Sequence, residues 1–230
     1  MREIVLDTET TGLDVLNGHR LVEIGCVELV NLVPTGVTWQ SYLNPQRENE
    51  REAFNVHGLS DAFLAKQPLF RDKAQEFVDF IGDSTLIIHN AEFDLKFLNN
   101  ELKQLGMDTI SGERVTDSLA LARTIYPGQA NSLDALMKRL GVDATARTRH
   151  GALLDAELLA QVYLELRGGR QADLALAPER TEREFAADGN ASEREHREAR
   201  PHDATDEEIA RHEAFLDSLD DAIWRRFTAG

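Results

Sequence analysis

Three short segments of the chain carry carboxylates or histidine at spacings that suit metal-ion chemistry. The first is Asp7-Thr8-Glu9, in which two acids are two residues apart. In a β-strand such residues point to the same side, and carboxylates this close raise each other's pKa unless a cation lies between them. Gly12, just beyond, would let backbone N–H groups approach a ligand. Taken alone, the pair fits an acidic strand end in a surface loop equally well.

Two further acids and a histidine lie far along the chain. Asp94 follows the predicted strand 86–89 at the start of a predicted helix, where α/β sheets usually place functional residues. An acid favoured by the helix dipole would look the same. His150 and Asp155 are five residues apart, which excludes one helical face but fits a histidine on a loop and an acid in the next helix. By itself this pair also fits a surface histidine and a capping acid.

The four acids are more informative together than singly. Oxygen ligands without cysteine suit Mg²⁺ or Mn²⁺ rather than structural zinc. Two such ions, about 4 Å apart, can activate a water, stabilise a pentacovalent phosphate and neutralise the leaving oxygen. A neutral imidazole beside the water can remove its proton. The residues expected to bind the cations are Asp7, Glu9, Asp94 and Asp155, with His150 as the general base.

The segments that must position these side chains follow an α/β pattern from Met1 to about Arg167. A buried strand is predicted at 2–7, followed by strands at 21–32 and 36–43 that are joined by a turn around Pro34 and Thr35. Strands so close in sequence should pair antiparallel. The remaining predicted elements are short strands at 86–89 and 114–117 and helices at 69–81, 91–105, 118–125, 132–140 and 153–166. This order predicts an α/β fold with a mixed sheet flanked by helices.

The composition sets limits on the class of protein. The chain has 230 residues, of which 42% are hydrophobic, and a single cysteine, Cys26. No apolar run approaches the ~18 residues of a membrane helix, and no signal peptide is evident, so we expect a cytoplasmic protein without membrane contact. The net charge of −16 is unusual for a protein that binds nucleic acid. Bound cations would present positive charge to phosphate, and weak binding would suit an enzyme that a partner carries to its substrate.

The composition changes after Gly169. Residues 170–203 are rich in Glu, Arg, Ala and Asp, which predicts a flexible linker. Apolar residues return in 204–230, where Thr205 and Glu208 form a capping-box pattern. So short a helix cannot form its own core, and we therefore expect a helical docking segment. A nonspecific amphipathic helix is the alternative. The predicted division is thus a catalytic domain at 1–169, a linker and a docking segment.

The chain resembles the DnaQ-like exonucleases of the DEDD class, in the subgroup whose general base is histidine. The matching segments are VLDTETTGL at 5–13, HNAEFDLKFL at 89–98 and HGALLDAELLAQVY at 150–163. The resemblance implies a ribonuclease-H-like fold and 3′→5′ exonuclease activity. It also implies that one metal is ligated by Asp7, Glu9 and Asp155, that Asp7 and Asp94 serve the second, and that His150 is the base.

Within this class the chain is most similar to the proofreading subunits of bacterial replicative polymerases, through FNVHGL at 54–59 and ATDEEIARHEAFL at 204–216. This similarity implies that Glu52 and His57 contact the terminal nucleotide, although local packing would also explain His57. Leu13 and Phe93 are candidates for wedging or stacking on the last base, and both also fit core positions. The full set expected to contact a DNA 3′ end is Asp7, Thr8, Glu9, Leu13, Glu52, His57, Phe93 and Asp155.

The resemblance gives the C-terminal region a role in binding partners. The docking segment would tether the exonuclease to the polymerase catalytic subunit, and residues 171–176 resemble a peptide that binds a sliding clamp, although such short motifs often arise by chance. The candidate residues are Gln171, Leu174 and Leu176 for the clamp, and Phe215, Trp224 and Phe227 for the polymerase.

Two other functions fit parts of the pattern. An RNA-trimming exonuclease of the same superfamily would use the same acids but has no need of a tether. A non-catalytic adaptor between polymerase and clamp would need the tether but not an intact set of metal ligands. We therefore expect a DNA exonuclease that proofreads mispaired primer ends, because a mismatched end frays more easily into a single-strand site.

Overall fold

The computed structural model describes residues 1–145, 150–168 and 204–218. Residues 1–145 and 150–168 belong to one compact unit, and residues 204–218 belong to a second. The predicted linker at 170–203 lies outside the described residues, and the division of the chain into three functional parts stays a prediction.

A mixed sheet of five strands forms the centre of the first unit. Its strands are β1 (Arg2–Thr10), β2 (Leu21–Val30), β3 (Val33–Tyr42), β4 (Thr85–Ile88) and β5 (Val115–Asp117), in the order β3-β2-β1-β4-β5. The first three form an antiparallel meander, whereas β4 pairs parallel with β1 and β5 pairs parallel with β4. The predicted α/β fold with a mixed sheet is confirmed.

The hairpin between β2 and β3 turns earlier than predicted. Its turn is at Asn31 and Leu32, which both have positive φ angles of 52° and 66°, and not around Pro34 and Thr35. Two residues with positive φ form the tight connection whose twist suits an antiparallel hairpin. Pro34 lies within β3, where an edge strand tolerates a residue without an N–H group.

α-Helices provide most of the remaining elements, and those of the first unit flank the sheet. They are α1 (Arg51–His57), α2 (Asp61–Leu64), α3 (Phe70–Ile81), α4 (Ala91–Gln104), α5 (Ser118–Ile125), α6 (Leu133–Leu140) and α7 (Ala152–Leu166) in the first unit, and α8 (Asp206–Asp217) in the second. The helices from α3 to α7 agree with the predicted positions within one residue. Helices α1 and α2 were not predicted, because segments this short show no helical periodicity.

The alternation of β1 between two layers decides where its acids point. Ile4 and Leu6 pack in the core on the side of α3 and α4, whereas Val5 packs on the side of α7. Continuing this alternation places Asp7 and Glu9 on the α7 side and Thr8 on the α4 side. A third cluster packs α5 and α6 against the outer side of α7.

Helix α8 of the second unit has the predicted capping box. The Thr205 hydroxyl accepts a hydrogen bond from the Glu208 N–H, and the Glu208 carboxylate accepts one from the Thr205 N–H. Phe215 is 58% exposed on this helix. In the part of the chain that the structure describes, every helix falls short of the length or hydropathy that a membrane span needs.

Candidate active site

The candidate site lies where β1 extends beyond its neighbour β4. The two strands pair only alongside residues Glu3 to Val5 of β1, so the following residues of β1 have a free edge on that side. Asp7 is half-buried there and Glu9 is buried. Both acids lie within β1, because the strand continues to Thr10, three residues beyond its predicted end at Asp7.

Close backbone approach brings α7 to the two acids. Gly25 of β2 lies opposite Asp7 in the antiparallel register. A Cβ atom on Gly25 would lie 2.2 Å from the backbone nitrogen of Leu153 and 2.3 Å from the carbonyl carbon of Ala152. Only glycine therefore allows the first turn of α7 to contact the strand. Gly25 was not predicted to have a role, although an isolated glycine in a strand is a signal of such contact.

Glu23 of β2 holds the same turn of α7 by hydrogen bonds. Its buried carboxylate accepts a hydrogen bond of 2.7 Å from the Gln40 amide and further ones from the backbone N–H groups of Ala152 and Leu153. It thereby satisfies N–H groups that a helix start leaves without intrahelical partners. Burial raises the pKa of Glu23, these hydrogen bonds lower it, and the nearby Asp155 carboxylate raises it. Glu23 was not predicted to have a role; it is one of two acids in β2, with Glu28, and it is the buried one.

His150 and Asp155 are in contact at the start of α7. His150 Nδ1 lies 3.1 Å from Asp155 Oδ2. Asp155 is buried, whereas the His150 side chain is 44% exposed. The His150 N–H lies 3.4 Å from the Val56 carbonyl oxygen, so the histidine backbone is also tied to α1. A carboxylate at Nδ1 favours the tautomer with its proton there, which leaves Nε2 as the basic nitrogen.

Glu9 completes a group of three potential metal ligands with His150 and Asp155. Each side chain offers a ligand atom, and these atoms lie within 4.8 Å of one another. Two of the three are buried carboxylates, which repel each other unless positive charge lies between them. The donor set therefore fits a divalent cation.

Asp94 approaches from the opposite side of the sheet. It is buried in the first turn of α4, and the Thr8 hydroxyl donates a hydrogen bond of 2.6 Å to its Oδ1 atom. Burial raises the pKa of Asp94 to about 7, although the Thr8 hydrogen bond lowers it. Because Thr8 lies between Asp7 and Glu9 in β1, this bond connects Asp94 to the strand that carries the other acids.

A left-handed turn starts α4 beside the site. Its N-cap, Asn90, has φ 65° and ψ 52°. The Asn90 N–H donates a hydrogen bond of 3.0 Å to Asp117 Oδ1 at the end of β5. Asp117 thus holds the turn that positions Asp94, and its charge also raises the pKa of that residue. Asp117 was predicted to lie in a strand, without a role in the site.

Leu13 and Phe93 line one cavity of about 230 Å³. Leu13 is 81% exposed, which excludes the core position that the sequence left open for it. Phe93 is half-buried, and its ring centroid lies 5.0 Å from that of Phe97, so it packs on the core and faces the cavity at once.

Helix α1 places His57 close to the end of β1. The Glu50 N–H, at the start of α1, donates to the Thr11 carbonyl. His57 is buried, and its Nδ1 accepts a hydrogen bond of 3.0 Å from the Leu59 N–H. Burial lowers the pKa of His57 and the nearby Thr10 carbonyl raises it, yet among the described residues its Nε2 has no partner with hydrogen-bond geometry. Glu52 is exposed in the first turn of α1.

Comparison with known proteins identifies the family. Residues 4–163 match the exonuclease family RNase_T. The DNA polymerase III epsilon subunit of Rickettsia felis is 45% identical over 222 residues, covering 95% of this chain and 97% of that protein. The epsilon subunit of Escherichia coli K12 is also 45% identical, over 237 residues and 97% of each chain. The chain belongs to the epsilon-subunit family. The predicted family and the predicted enzyme class, a 3′→5′ exonuclease, are therefore confirmed.

Solved structures share the fold of this epsilon-family chain. Exonuclease X in complex with 5′ overhanging duplex DNA gives a TM-score of 0.57 at 23% identity, over 72% of this chain and 91% of that one. The nuclease domain of 3′hExo, a DEDDh family member bound to rAMP, gives 0.63 at 16% identity, over 73% and 92%. These similarities confirm the predicted ribonuclease-H-like fold.

The predicted partner-binding residues of this epsilon-family chain lie either in the second unit or outside the described residues. Phe215 lies on α8 in the second unit, and its exposure is compatible with a docking role. The remaining candidates for clamp and polymerase contacts lie outside the described residues, namely Gln171, Leu174, Leu176, Trp224 and Phe227.

Proposed function

We propose that this exonuclease removes mispaired nucleotides from the 3′ end of a DNA primer, as the proofreading subunit of a replicative polymerase, and that hydrolysis takes place at the end of β1. The observation that carries the proposal is the group formed by Glu9, His150 and Asp155, whose ligand atoms lie within 4.8 Å of one another. Membership of the epsilon-subunit family supports the choice of a DNA substrate.

The four acids would hold two divalent cations, Mg²⁺ or Mn²⁺. Asp7, Glu9 and Asp155 would ligate one, and Asp7 and Asp94 would ligate the other. When bound, such ions acidify a water and neutralise the charge that develops on the phosphate. The burial of Asp94 supports this role, because a carboxyl with a pKa near 7 becomes a full negative charge most readily next to a cation.

His150 would act as the general base. Its exposed ring can reach a water beside the phosphate, while its Nδ1 contact with Asp155 fixes the orientation of the ring. Proton removal by Nε2 would create an imidazolium, which the adjacent carboxylate stabilises. Exposure to solvent then lets the proton leave before the next cycle.

The terminal nucleotide would lie between α1, the loop after β1 and the start of α4. Leu13 and Phe93 share one cavity, which supports a place for the last base between them. Glu52 and His57 would contact the terminal nucleotide. Thr8 would serve the substrate by holding Asp94, as its hydrogen bond to that carboxylate supports.

The second unit would connect the exonuclease to the polymerase. The capped helix α8 and its exposed Phe215 support a docking role for residues 204–230. The linker at 170–203, Trp224 and Phe227 as further anchors, and a clamp contact through Gln171, Leu174 and Leu176 remain parts of this proposal that rest on the sequence. So does the cytoplasmic location.

A comparison of substrates tests the proposal directly. The full chain, with Mg²⁺ or Mn²⁺, would be given 5′-labelled DNA with matched or mispaired 3′ ends and RNA of the same sequence. We expect label-retaining products that shorten from the 3′ end, fastest for the mispaired DNA. Faster cleavage of RNA would favour the RNA-trimming alternative, and no release of nucleotide with either metal would favour the adaptor.

Variants of two acids provide the matched control for this assay. Asp7→Asn should abolish the release of nucleotides. Asp83→Asn should have no effect, because Asp83 is exposed just before β4, at the other end of the sheet. Equal activity of both variants would contradict the proposed site.

A further inference from the structure

A second cavity, of about 500 Å³, shares Asn90 with the Leu13 cavity and has otherwise different lining residues. We call it the upstream cavity. It is formed by the turn before α4, by α5 and by the loop that leads into α6. Its polar lining residues are His89, Asn90, Arg123, Gln129, Asn131 and Ser132.

The position of the upstream cavity relates it to the active site. Asn90 lines both cavities, and it is the N-cap of the helix whose first turn carries Asp94. A strand with its last base between Leu13 and Phe93 can therefore pass Asn90 and enter the upstream cavity. None of the predicted site residues explains this cavity.

The lining is rich in hydrogen-bond donors. Arg123 is exposed on α5, and no described carboxylate forms an ion pair with it. The pKa of His89 is lowered mainly by burial, and the Arg123 charge is close enough to lower it further. Gln129 and Asn90 add exposed amides. The Ser132 hydroxyl accepts from the Ala135 N–H, so its own proton remains available to a ligand.

The loop that presents these donors is rigid. Asn131 is buried, and its amide donates to the carbonyl oxygens of Tyr126 and Gln129. Arg139 donates to the Asn131 side-chain oxygen at 3.2 Å, and its guanidinium lies 4.7 Å from the ring centroid of Tyr126. Fixed donors lose little conformational freedom when a ligand binds.

The nearby acid does not compete with an anion in the upstream cavity for these donors. Burial lowers the pKa of His89 and the Asp117 charge partly offsets this, so the Asp117 carboxylate is close to the imidazole. However, its Oδ1 accepts hydrogen bonds from the N–H groups of Asn90 and Leu119, which hold the carboxylate against the backbone. In a chain of net charge −16, an arginine that forms no ion pair with a described carboxylate suits a phosphate, which guanidinium binds with two donors.

We propose that the upstream cavity binds the phosphodiester backbone of the substrate strand on the 5′ side of the bond that is cleaved, with Arg123 as its main contact. This inference rests on the proposed function, because it assumes that a DNA strand occupies the active site. The contact would favour oligonucleotide substrates, whereas a mononucleotide ester, which has no upstream phosphate, would not use it.

Two substrates separate this contact from catalysis. The p-nitrophenyl ester of thymidine 5′-monophosphate has one nucleotide and no upstream phosphate, whereas single-stranded oligonucleotides of two to eight residues have an increasing number. Arg123→Ala in the full chain should leave hydrolysis of the ester unchanged. It should lower kcat/KM for the longer oligonucleotides roughly tenfold, the loss expected for one hydrogen-bonded charge contact. The slope of log kcat/KM against log salt should fall by about 0.7.

Matched variants make the outcomes unambiguous. Arg71→Ala removes an exposed arginine from α3 and should not change the hydrolysis of either substrate. Arg123→Lys should recover the salt slope, because it retains the charge. Unchanged cleavage of all oligonucleotides by Arg123→Ala would overturn the inference, and so would an equal loss on the ester, which would assign Arg123 to the terminal nucleotide. Failure of the unaltered chain on both substrates would instead overturn the proposed function.

Discussion

Asp155 and Asp94 reach the end of β1 from helices on opposite faces of the sheet, and they are positioned by different means. On the α7 side, steric fit dominates, because the backbone of α7 contacts Gly25 at a distance that no side chain would allow. On the α4 side, hydrogen bonds dominate. Thr8 holds the carboxylate of Asp94, and Asp117 holds the turn at Asn90.

The two arrangements should tolerate change differently. Packed backbone has no way to relax around an added atom, so a small substitution on the α7 side should displace the whole first turn. A lost hydrogen bond on the α4 side leaves the helix in place and changes only the charge and orientation of one side chain. A small substitution on the α7 side should therefore cause a large loss of activity, and one on the α4 side only a partial loss.

Within this comparison of the α7 and α4 sides, the largest effect is expected from removal of the His150 imidazole on the α7 side. His150→Ala should lower turnover about 10²–10⁴-fold, the usual contribution of a positioned base. Binding of Mn²⁺, measured by isothermal titration calorimetry, should change little. Asp155→Asn is the comparison, since it should reduce both turnover and Mn²⁺ binding. Equal loss of metal binding in the two variants would contradict the separate roles of base and ligand.

The next effect tests the steric arrangement itself. Gly25→Ala introduces a methyl group 2.2 Å from the backbone of Leu153. We expect the free energy of unfolding to fall by about 1–3 kcal/mol. Activity of the folded protein should fall about 10²-fold, as expected for a displacement of roughly 1 Å at a catalytic group. Gly112→Ala is the control, because a Cβ there meets no atom within 4 Å. Full activity of Gly25→Ala would show that α7 can shift without loss of catalysis, which contradicts the proposed steric arrangement.

A gradual loss is expected on the α4 side. Thr8→Val keeps the shape of the side chain but removes the hydrogen bond of 2.6 Å to Asp94. Turnover should fall roughly tenfold, the size of one hydrogen bond to a charged group. Mn²⁺ affinity should weaken in parallel, and Thr8→Ser should restore both. A loss as large as that of Gly25→Ala would remove the proposed distinction between the two sides.

The sequence predicted the parts of this arrangement that depend on local pattern. The spacing of Asp7 and Glu9, two residues apart, predicted that these two acids share a side of the strand. The roles of Gly25 and Glu23 could not be predicted in this way, because they depend on which distant helix packs on β2. Even a correct strand assignment gives no sign that α7 begins directly above these two residues.

The same limit applies to the elements around the terminal nucleotide. Helix α1 is seven residues long, too short for periodicity to distinguish it from a loop. Its position near β1 depends on the hydrogen bond between Glu50 and Thr11, which is a contact between two loops. His57 was therefore assigned from a resemblance, and the structure adds the reason that it lies near the site.

The smallest effect on activity is expected from a contact between α7 and β1 that lies far from the candidate site. Tyr163, in the last part of α7, donates a buried hydrogen bond of 2.9 Å to Glu3 near the start of β1. Burial raises the pKa of Tyr163 to about 12, so its hydroxyl keeps its proton at neutral pH. Tyr163→Phe leaves the Glu3 carboxylate without this donor, and urea unfolding should show a loss of about 1–3 kcal/mol.

Exonuclease activity of the folded Tyr163→Phe variant should nevertheless equal that of the unaltered chain. The contact at Gly25 and the cap from Glu23 fix the first turn of α7 independently of its last turn. Val162→Ala is a suitable companion, because Val162 is also buried in α7 but packs towards α6. If Tyr163→Phe lost activity while remaining folded, Asp155 would be positioned by the whole length of α7, and the sharp local contact at Gly25 would not be sufficient.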